Sequence, residues 1–113
     1  MAIYHIAIQS EWQAGLDKGS YQPAGFERDS FIHFSKKEQV LRVANGLYAN
    51  RSDLVLLKVD PQRVNCPVIE ENLEGGSELF PHLYGPLPSA AVIATAPLTW
   101  QAKGYSFPNS LED

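Results

Sequence analysis

The chain has 113 residues, 44% of them hydrophobic and 19% charged. This is the length and composition of one globular domain, and it excludes a two-domain enzyme and a disordered chain. Nine Lys and Arg against thirteen Asp and Glu leave a formal charge of -4, so the basic field of a general nucleic-acid binder is missing. Cys66 is the only cysteine, which excludes an intrachain disulfide and any cysteine-rich zinc or iron–sulfur centre. No apolar run approaches the about 20 residues that cross a bilayer. The first positive side chain is Lys18, which is not the start of a secretory leader. The expectation is one soluble, cytoplasmic domain over residues 1–113 with no membrane partner.

In chain order, Ile3 to Ile8 alternates as a strand, with Tyr4, Ile6 and Ile8 on one face and Ile3, His5 and Ala7 on the other. Ser10 is placed to cap a short helix over residues 11–18, with Trp12 and Leu16 on one side and Gly19 as its stop. Ser20 to Asp29 reads as a loop. Phe31 to Phe34 reads as a second strand. Ser35 and Glu38 have the spacing of a capping box ahead of an amphipathic helix from Gln39 to Tyr48. Leu54 to Val59 is apolar almost throughout and predicts a central strand. Further short strands are expected at Val64–Ile69, Phe80–Tyr84 and Ala90–Ala96, with an edge strand within Trp100–Phe107. Glu71 to Glu78 predicts a hairpin or loop, and the tail 108–113 is expected to fray. About six strands with two helices in the first half indicate an α+β fold.

Three histidines carry the candidate chemistry. His5 and His33 lie within predicted strands, and His82 lies between Phe80-Pro81 and Leu83-Tyr84. Strand parity groups His33 with Phe31 and Ser35, and His82 with Phe80 and Tyr84. Imidazole offers a donor, an acceptor and a pKa near neutrality, so convergence of all three would make a site. Taken singly, each reads rather as a half-buried strand residue bonded to main chain, and only the three together bring the two readings level. Glu70, Glu71, Glu74 and Glu78 form an acidic stretch, ordinarily a solvated face, of which one member could orient a ribose or offset positive charge. Walker, dinucleotide-fingerprint, His-Glu-x-x-His and nucleophile-elbow patterns are absent from the sequence. Cys66, beside Pro67 in an apolar setting, reads as a packed thiol.

Five blocks occur together in order: Ile3-Tyr4-His5-Ile6, Gly25-Phe26 leading to Phe31-Ile32-His33-Phe34-Ser35, Glu38-Gln39-Val40, Glu71-Asn72-Leu73-Glu74-Gly75-Gly76, and Phe80-Pro81-His82-Leu83-Tyr84-Gly85-Pro86-Leu87. They resemble the bacterial domain-of-unknown-function family 952 (DUF952) over about residues 2–97, nearly the whole chain. That family is grouped by remote similarity with the ADP-ribosyltransferase superfamily. The resemblance implies a compact α+β fold on two small, split antiparallel sheets, with a cleft for NAD or an ADP-ribosyl group. It implies His5 as the first site position, Ser35 or His33 as the second, and Glu71 as the glutamate, with His82 close by. In that scheme Tyr84 or Phe80 stacks on a flat ring, and His33 or His82 serves as base toward an acceptor or neutralises pyrophosphate. A small molecule or a nucleic-acid end is equally plausible as that acceptor. Two alternatives stand beside this transferase or hydrolase reading: a non-catalytic nucleotide-binding module, and a metal site of histidines and a glutamate, for which the sequence offers no short ligand pair. No resident metal is expected on the favoured reading.

Overall fold

The computed structural model describes residues 1–73 and 76–112. Glu74 and Gly75 of the acidic stretch, and Asp113 of the tail, lie outside the described residues.

Strand β1 (Ile3–Ile8) leads into helix α1 (Gln9–Lys18), and the two-residue strand β2 (Ser20–Tyr21) follows. One helical turn, α2 (Phe26–Asp29), then precedes β3 (Ile32–His33). Helix α3 (Val40–Leu47), strand β4 (Leu54–Val59), the hairpin partners β5 (Val68–Glu71) and β6 (Phe80–Leu83), β7 (Leu87–Pro88) and β8 (Val92–Leu98) complete the order. Among the described residues these strands form three antiparallel sheets, β1-β4-β8, β2-β7 and β3-β6-β5. The expected division into two sheets is therefore corrected. The extra sheet pairs Tyr21 with Leu87, a contact between residues too far apart in sequence for any local pattern to announce.

Strand β4 is central, as its apolar run predicts, because both of its faces are buried. Val55, Leu57 and Val59 join Ile3, Ala7, Trp12, Tyr21, Ile32, Phe34 and Leu83 in one core. Leu54 and Leu56 join Tyr4, Ile6, Val40, Ala44, Ala96, Leu98, Tyr105 and Leu111 in the other. The first core lies between the β1-β4-β8 sheet and the sheet of β3 and β6. The second lies under α3 and the C-terminal segment. Successive side chains of an extended chain point to opposite faces, so a strand buried on both sides needs an unbroken apolar sequence.

Several local expectations are overturned. Helix α1 begins at Gln9, so Ser10 lies inside it and caps nothing. Its buried face is Trp12 and Gly15, while Leu16 is exposed. Gly19 does end the helix, at φ 79°. The capping box at Ser35 does not form. Ser35 is drawn into a two-way backbone bridge with Tyr4 (2.8 and 2.7 Å), which keeps it extended. The reach-back bond is made one residue later, where Gln39 Oε1 accepts from the Lys36 amide at 2.9 Å. Gln39 Nε2 also donates to the Leu79 carbonyl (3.0 Å), tying the α3 entry to the approach of β6.

Trp100–Phe107 is not an edge strand but a loop closed by a Gln101–Gly104 bridge, pinned where Asn45 Oδ1 accepts from the Tyr105 amide. The tail does not fray before Leu111, which is buried in the second core within a single 3-10 turn, Asn109–Leu111. No helix among the described residues is long and apolar enough to cross a membrane.

Candidate functional site

Strand β1 is an edge of its sheet, and a cleft of about 390 Å³ runs beside it. The Tyr4 N–H and C=O are both taken by Ser35. Alternation along an antiparallel edge turns the Ile6 backbone groups the same way, towards the cleft that Ile6 lines. The cleft also takes in residues from the α1–β3 segment and from α3. Its polar and aromatic lining includes His5, Glu11, Tyr21, Arg28, Asp29, Phe31, His33, Ser35, Tyr48 and Phe80. This volume falls within the range of small-molecule sites, about 300–1,000 Å³.

His5 shares its face of β1 with Ile3 and Ala7 and is buried, yet both ring nitrogens are partnered. Nδ1 lies 2.6 Å from the His33 carbonyl oxygen, and Nε2 lies 2.8 Å from the Tyr21 hydroxyl. A carbonyl can only accept, so Nδ1 carries the proton and Nε2 accepts from the Tyr21 O–H. Burial pushes the His5 pKa down to about 4, against the opposing pull of the bond to the His33 carbonyl. The ring is therefore neutral at pH 7. Burial likewise pushes the Tyr21 hydroxyl above its ordinary value, and Glu11 and Tyr48 add to the shift. The phenol keeps its proton and donates it to His5.

Tyr21 reaches this position because α1 and β2 approach each other closely at Gly15. A Cβ there would stand 2.7 Å from Tyr21 Cβ and 2.9 Å from Tyr21 Cα. Arg28 at the rim pairs with Asp29 through Nε and Nη2 (3.0 and 3.3 Å). That hydrogen bond, with the adjacent charge, holds the Asp29 carboxyl below its usual range. His33 Nε2 is 4.0 Å from Asp29 Oδ2, and the His33 side chain is 52% exposed. His5 and His33 therefore face one cleft as expected, but only His5 is buried.

The third histidine sits elsewhere. His33 and His82 are cross-strand partners, so their rings share a face and meet edge-on at 4.9 Å. His82 is 1% exposed and does not line the cleft. Its Nδ1 is 3.0 Å from Glu71 Oε1, and the same oxygen accepts from the Tyr84 hydroxyl at 2.5 Å. Those two bonds, Tyr84's first, hold the Glu71 carboxyl below its ordinary range, and the same contact raises the Tyr84 phenol. Phe31 stacks on His82 with ring centres 4.3 Å apart, and it also meets His33 (4.8 Å) and Tyr84 (5.2 Å).

The family described as a protein of unknown function, DUF952, matches residues 6–95. The chain belongs to the DUF952 family. Among solved structures, the crystal structure of CC0527 from Caulobacter crescentus is similar at 34% identity, with a TM-score of 0.83 over 93% of this chain and 92% of that one. A double mutant of the same protein gives 0.82 over the same shares. Its solution NMR structure gives 0.79 at 34% identity, over 92% of this chain and 90% of that one. No curated protein matches.

In this DUF952 domain, four of the sequence-derived candidates line the cleft: His5, His33, Ser35 and Phe80. Glu71, His82 and Tyr84 form a separate hydrogen-bonded group that touches the cleft wall through Phe31 and His33. Among the described residues, no group of three or more His, Cys, Asp and Glu side chains is arranged to hold a metal ion. Both His5 nitrogens are already engaged, so the metal reading is not carried further. Sequence reasoning missed Tyr21, Arg28 and Asp29 as site residues. Their segment contains Pro23 and Gly25 and reads as loop, and only the three-dimensional course of the chain brings them opposite His5.

Proposed function

We propose that the cleft binds a nucleotide of the NAD or ADP-ribose class, and that the domain acts on it as a transferase or hydrolase. The observation that carries this reading is the neutral His5, clamped in one tautomer deep in a small-molecule-sized cleft. A buried histidine that served only packing would need no cavity beside it. The Tyr21 hydroxyl donates its O–H to His5 and retains lone pairs for a ribose hydroxyl. Arg28 commits Nε and part of Nη2 to Asp29, which leaves guanidinium donors for a phosphate. Glu11 and Asp29 supply negative charge suited to a cationic nicotinamide ring, and Phe31, Tyr48 and Phe80 supply aromatic surface. The Ile6 backbone offers a donor and an acceptor side by side, which suits a carboxamide. The remote grouping with ADP-ribosyltransferases that the family resemblance implies points the same way, and a grouping by fold does not carry an activity with it.

Titration calorimetry with NAD and with ADP-ribose tests the reading. Heat is expected at millimolar ligand or below for wild type, and His5→Ala should weaken binding about tenfold, ~1.4 kcal/mol. No heat with either ligand overturns the proposal. Chromatographic measurement of nicotinamide release separates an enzyme from a module that binds without turnover.

A further inference from the structure

The charges that line the cleft do not cancel. Besides His5 and His33, its charged side chains are Glu11, Arg28 and Asp29. Asp29 is already engaged, because both of its oxygens accept from Arg28, at 3.0 and 3.3 Å. Those two charges offset each other, and burial keeps His5 neutral at pH 7. Arg51, whose charge reaches Tyr48, is likewise committed, through Nε and Nη2 to the two oxygens of Asp53. Glu11 is left over. Its Oε1 accepts from the Ala24 amide at 3.3 Å, and among the described residues no Lys, Arg or His side chain forms an ion pair with it.

Glu11 lies in the first turn of α1, where an acid suits the positive end of the helix. That role needs no contact with another segment. The side chain instead reaches the Ala24 amide in the Pro23–Gly25 stretch of the cleft wall, and it is half-buried there. Its charge is felt by two phenols of the lining. Burial leads in raising both Tyr21 and Tyr48, and Glu11 adds to each shift, while Arg51 opposes it at Tyr48. Tyr21 comes from β2 and Tyr48 from the residue that ends α3, so the carboxylate stands near aromatic rings from two walls. Aromatic surface and a full negative charge both attract an organic cation.

We propose that Glu11 makes the cleft selective for a flat organic cation, a ring of the pyridinium type, over the same ring without its charge. Resting on the nucleotide reading, this makes Glu11 the residue that distinguishes the oxidised nicotinamide dinucleotide from the reduced one. The two nicotinamide rings differ in charge far more than in shape, so an uncompensated carboxylate is the group that can tell them apart. Asp29 adds less to this selection, because Arg28 meets its charge before any ligand arrives.

Titration calorimetry on the whole chain tests this with two small probes, the 1-methylnicotinamide cation and neutral nicotinamide. Wild type should bind the cation about tenfold more tightly. Glu11→Gln keeps the shape and an oxygen for the Ala24 amide, and it should bring the two probes to equal affinity with nicotinamide binding unchanged. A merely structural role for Glu11 would weaken both probes together, and that result overturns the proposal. Equal binding of the probes by wild type, or no heat from the cation, overturns it as well. Should Glu11→Gln fail to fold, wild type decides alone: added salt should weaken the cation and leave nicotinamide as it was, and a cation indifferent to salt overturns the proposal. With the dinucleotides, NAD should bind about tenfold more tightly than NADH to wild type and equally to Glu11→Gln. Equal binding of NAD and NADH by wild type overturns the dinucleotide part. A preference for 1-methylnicotinamide without heat from NAD or ADP-ribose would support the cation site and overturn only the nucleotide reading.

Discussion

His5 and His82 are both buried histidines on strands, but their surroundings differ. His5 has a carbonyl on one nitrogen and a phenol on the other. His82 has a carboxylate on one nitrogen, itself bonded by a second phenol, and no hydrogen-bond partner on the other. A fully satisfied polar group in a core is rigid and fixes its neighbours, whereas a half-satisfied one leaves part of its hydrogen-bonding capacity unused. The comparison separates a fully bonded imidazole from a half-bonded one, although the sequence presents both as a histidine among aromatic and aliphatic residues.

The largest expected effect comes from protonating His5. Its folded pKa of about 4 lies below the unfolded value of 6.5, so between these values the unfolded chain binds the extra proton. Stability is then fully present above pH 6.5, falls as pH drops towards 4 and levels off below it. The loss is about 3 kcal/mol from this group alone. Urea denaturation across pH 4–7 should show that slope in wild type and a flatter one in His5→Gln. An unchanged slope in the variant would assign the pH dependence to other groups.

How much of this was legible in the sequence depended on range. Strand β1, the αL stop at Gly19, the helix after Gln39 and the central β4 all follow from periodicity and terminators within a few residues, and all are present. The Ser35 capping box failed because Tyr4, a distant residue, competes for the Ser35 backbone. The tail was misread because what anchors Leu111 is a core assembled from β1, β4, β8 and α3. At the site, parity groups His82 with Phe80 and Tyr84, and the structure keeps only half of that: Tyr84 shares Glu71 with His82, while Phe80 lines the cleft. Parity could not say that His82 and Glu71 would lie behind Phe31 rather than in the cleft, because that depends on how the bend at Ser30 delivers the ring.

The next effect in size turns His5 into a residue like His82. Tyr21→Phe deletes the hydroxyl on Nε2 and leaves a buried acceptor unpaired, at a cost of about 1–3 kcal/mol by chemical denaturation. Tyr105→Phe sharpens the contrast. Its hydroxyl donates to the Tyr48 carbonyl (2.5 Å) and accepts from the Arg51 amide (3.1 Å), bonds that serve only the main chain. Both variants should lose stability, but only Tyr21→Phe should weaken calorimetric binding of ADP-ribose. Equal binding in the two variants would remove Tyr21 from the site.

The smallest effect is expected at Tyr84. Tyr84→Phe removes the leading cause of the low Glu71 pKa and leaves the His82 contact in place. Carboxyl NMR titration should show the Glu71 midpoint moving up towards the ordinary glutamate range, with stability hardly changed. Because the low folded pKa favours the native state above the titration range, the variant should lose slightly less stability on acidification than wild type. A Glu71 midpoint that does not move would mean that His82 alone governs the carboxylate.

The bare backbone at Gly15 reaches further than its own helix. With a single hydrogen there, α1 settles against Tyr21 closely enough for the phenol to arrive at His5. An added methyl would wedge the two segments apart, and the displacement would be felt across the cavity as a stretched or severed phenol–imidazole link. The depth of the cleft is thus governed from a spot outside its lining, and a substitution at Gly15 would act through spacing, with no lining side chain altered.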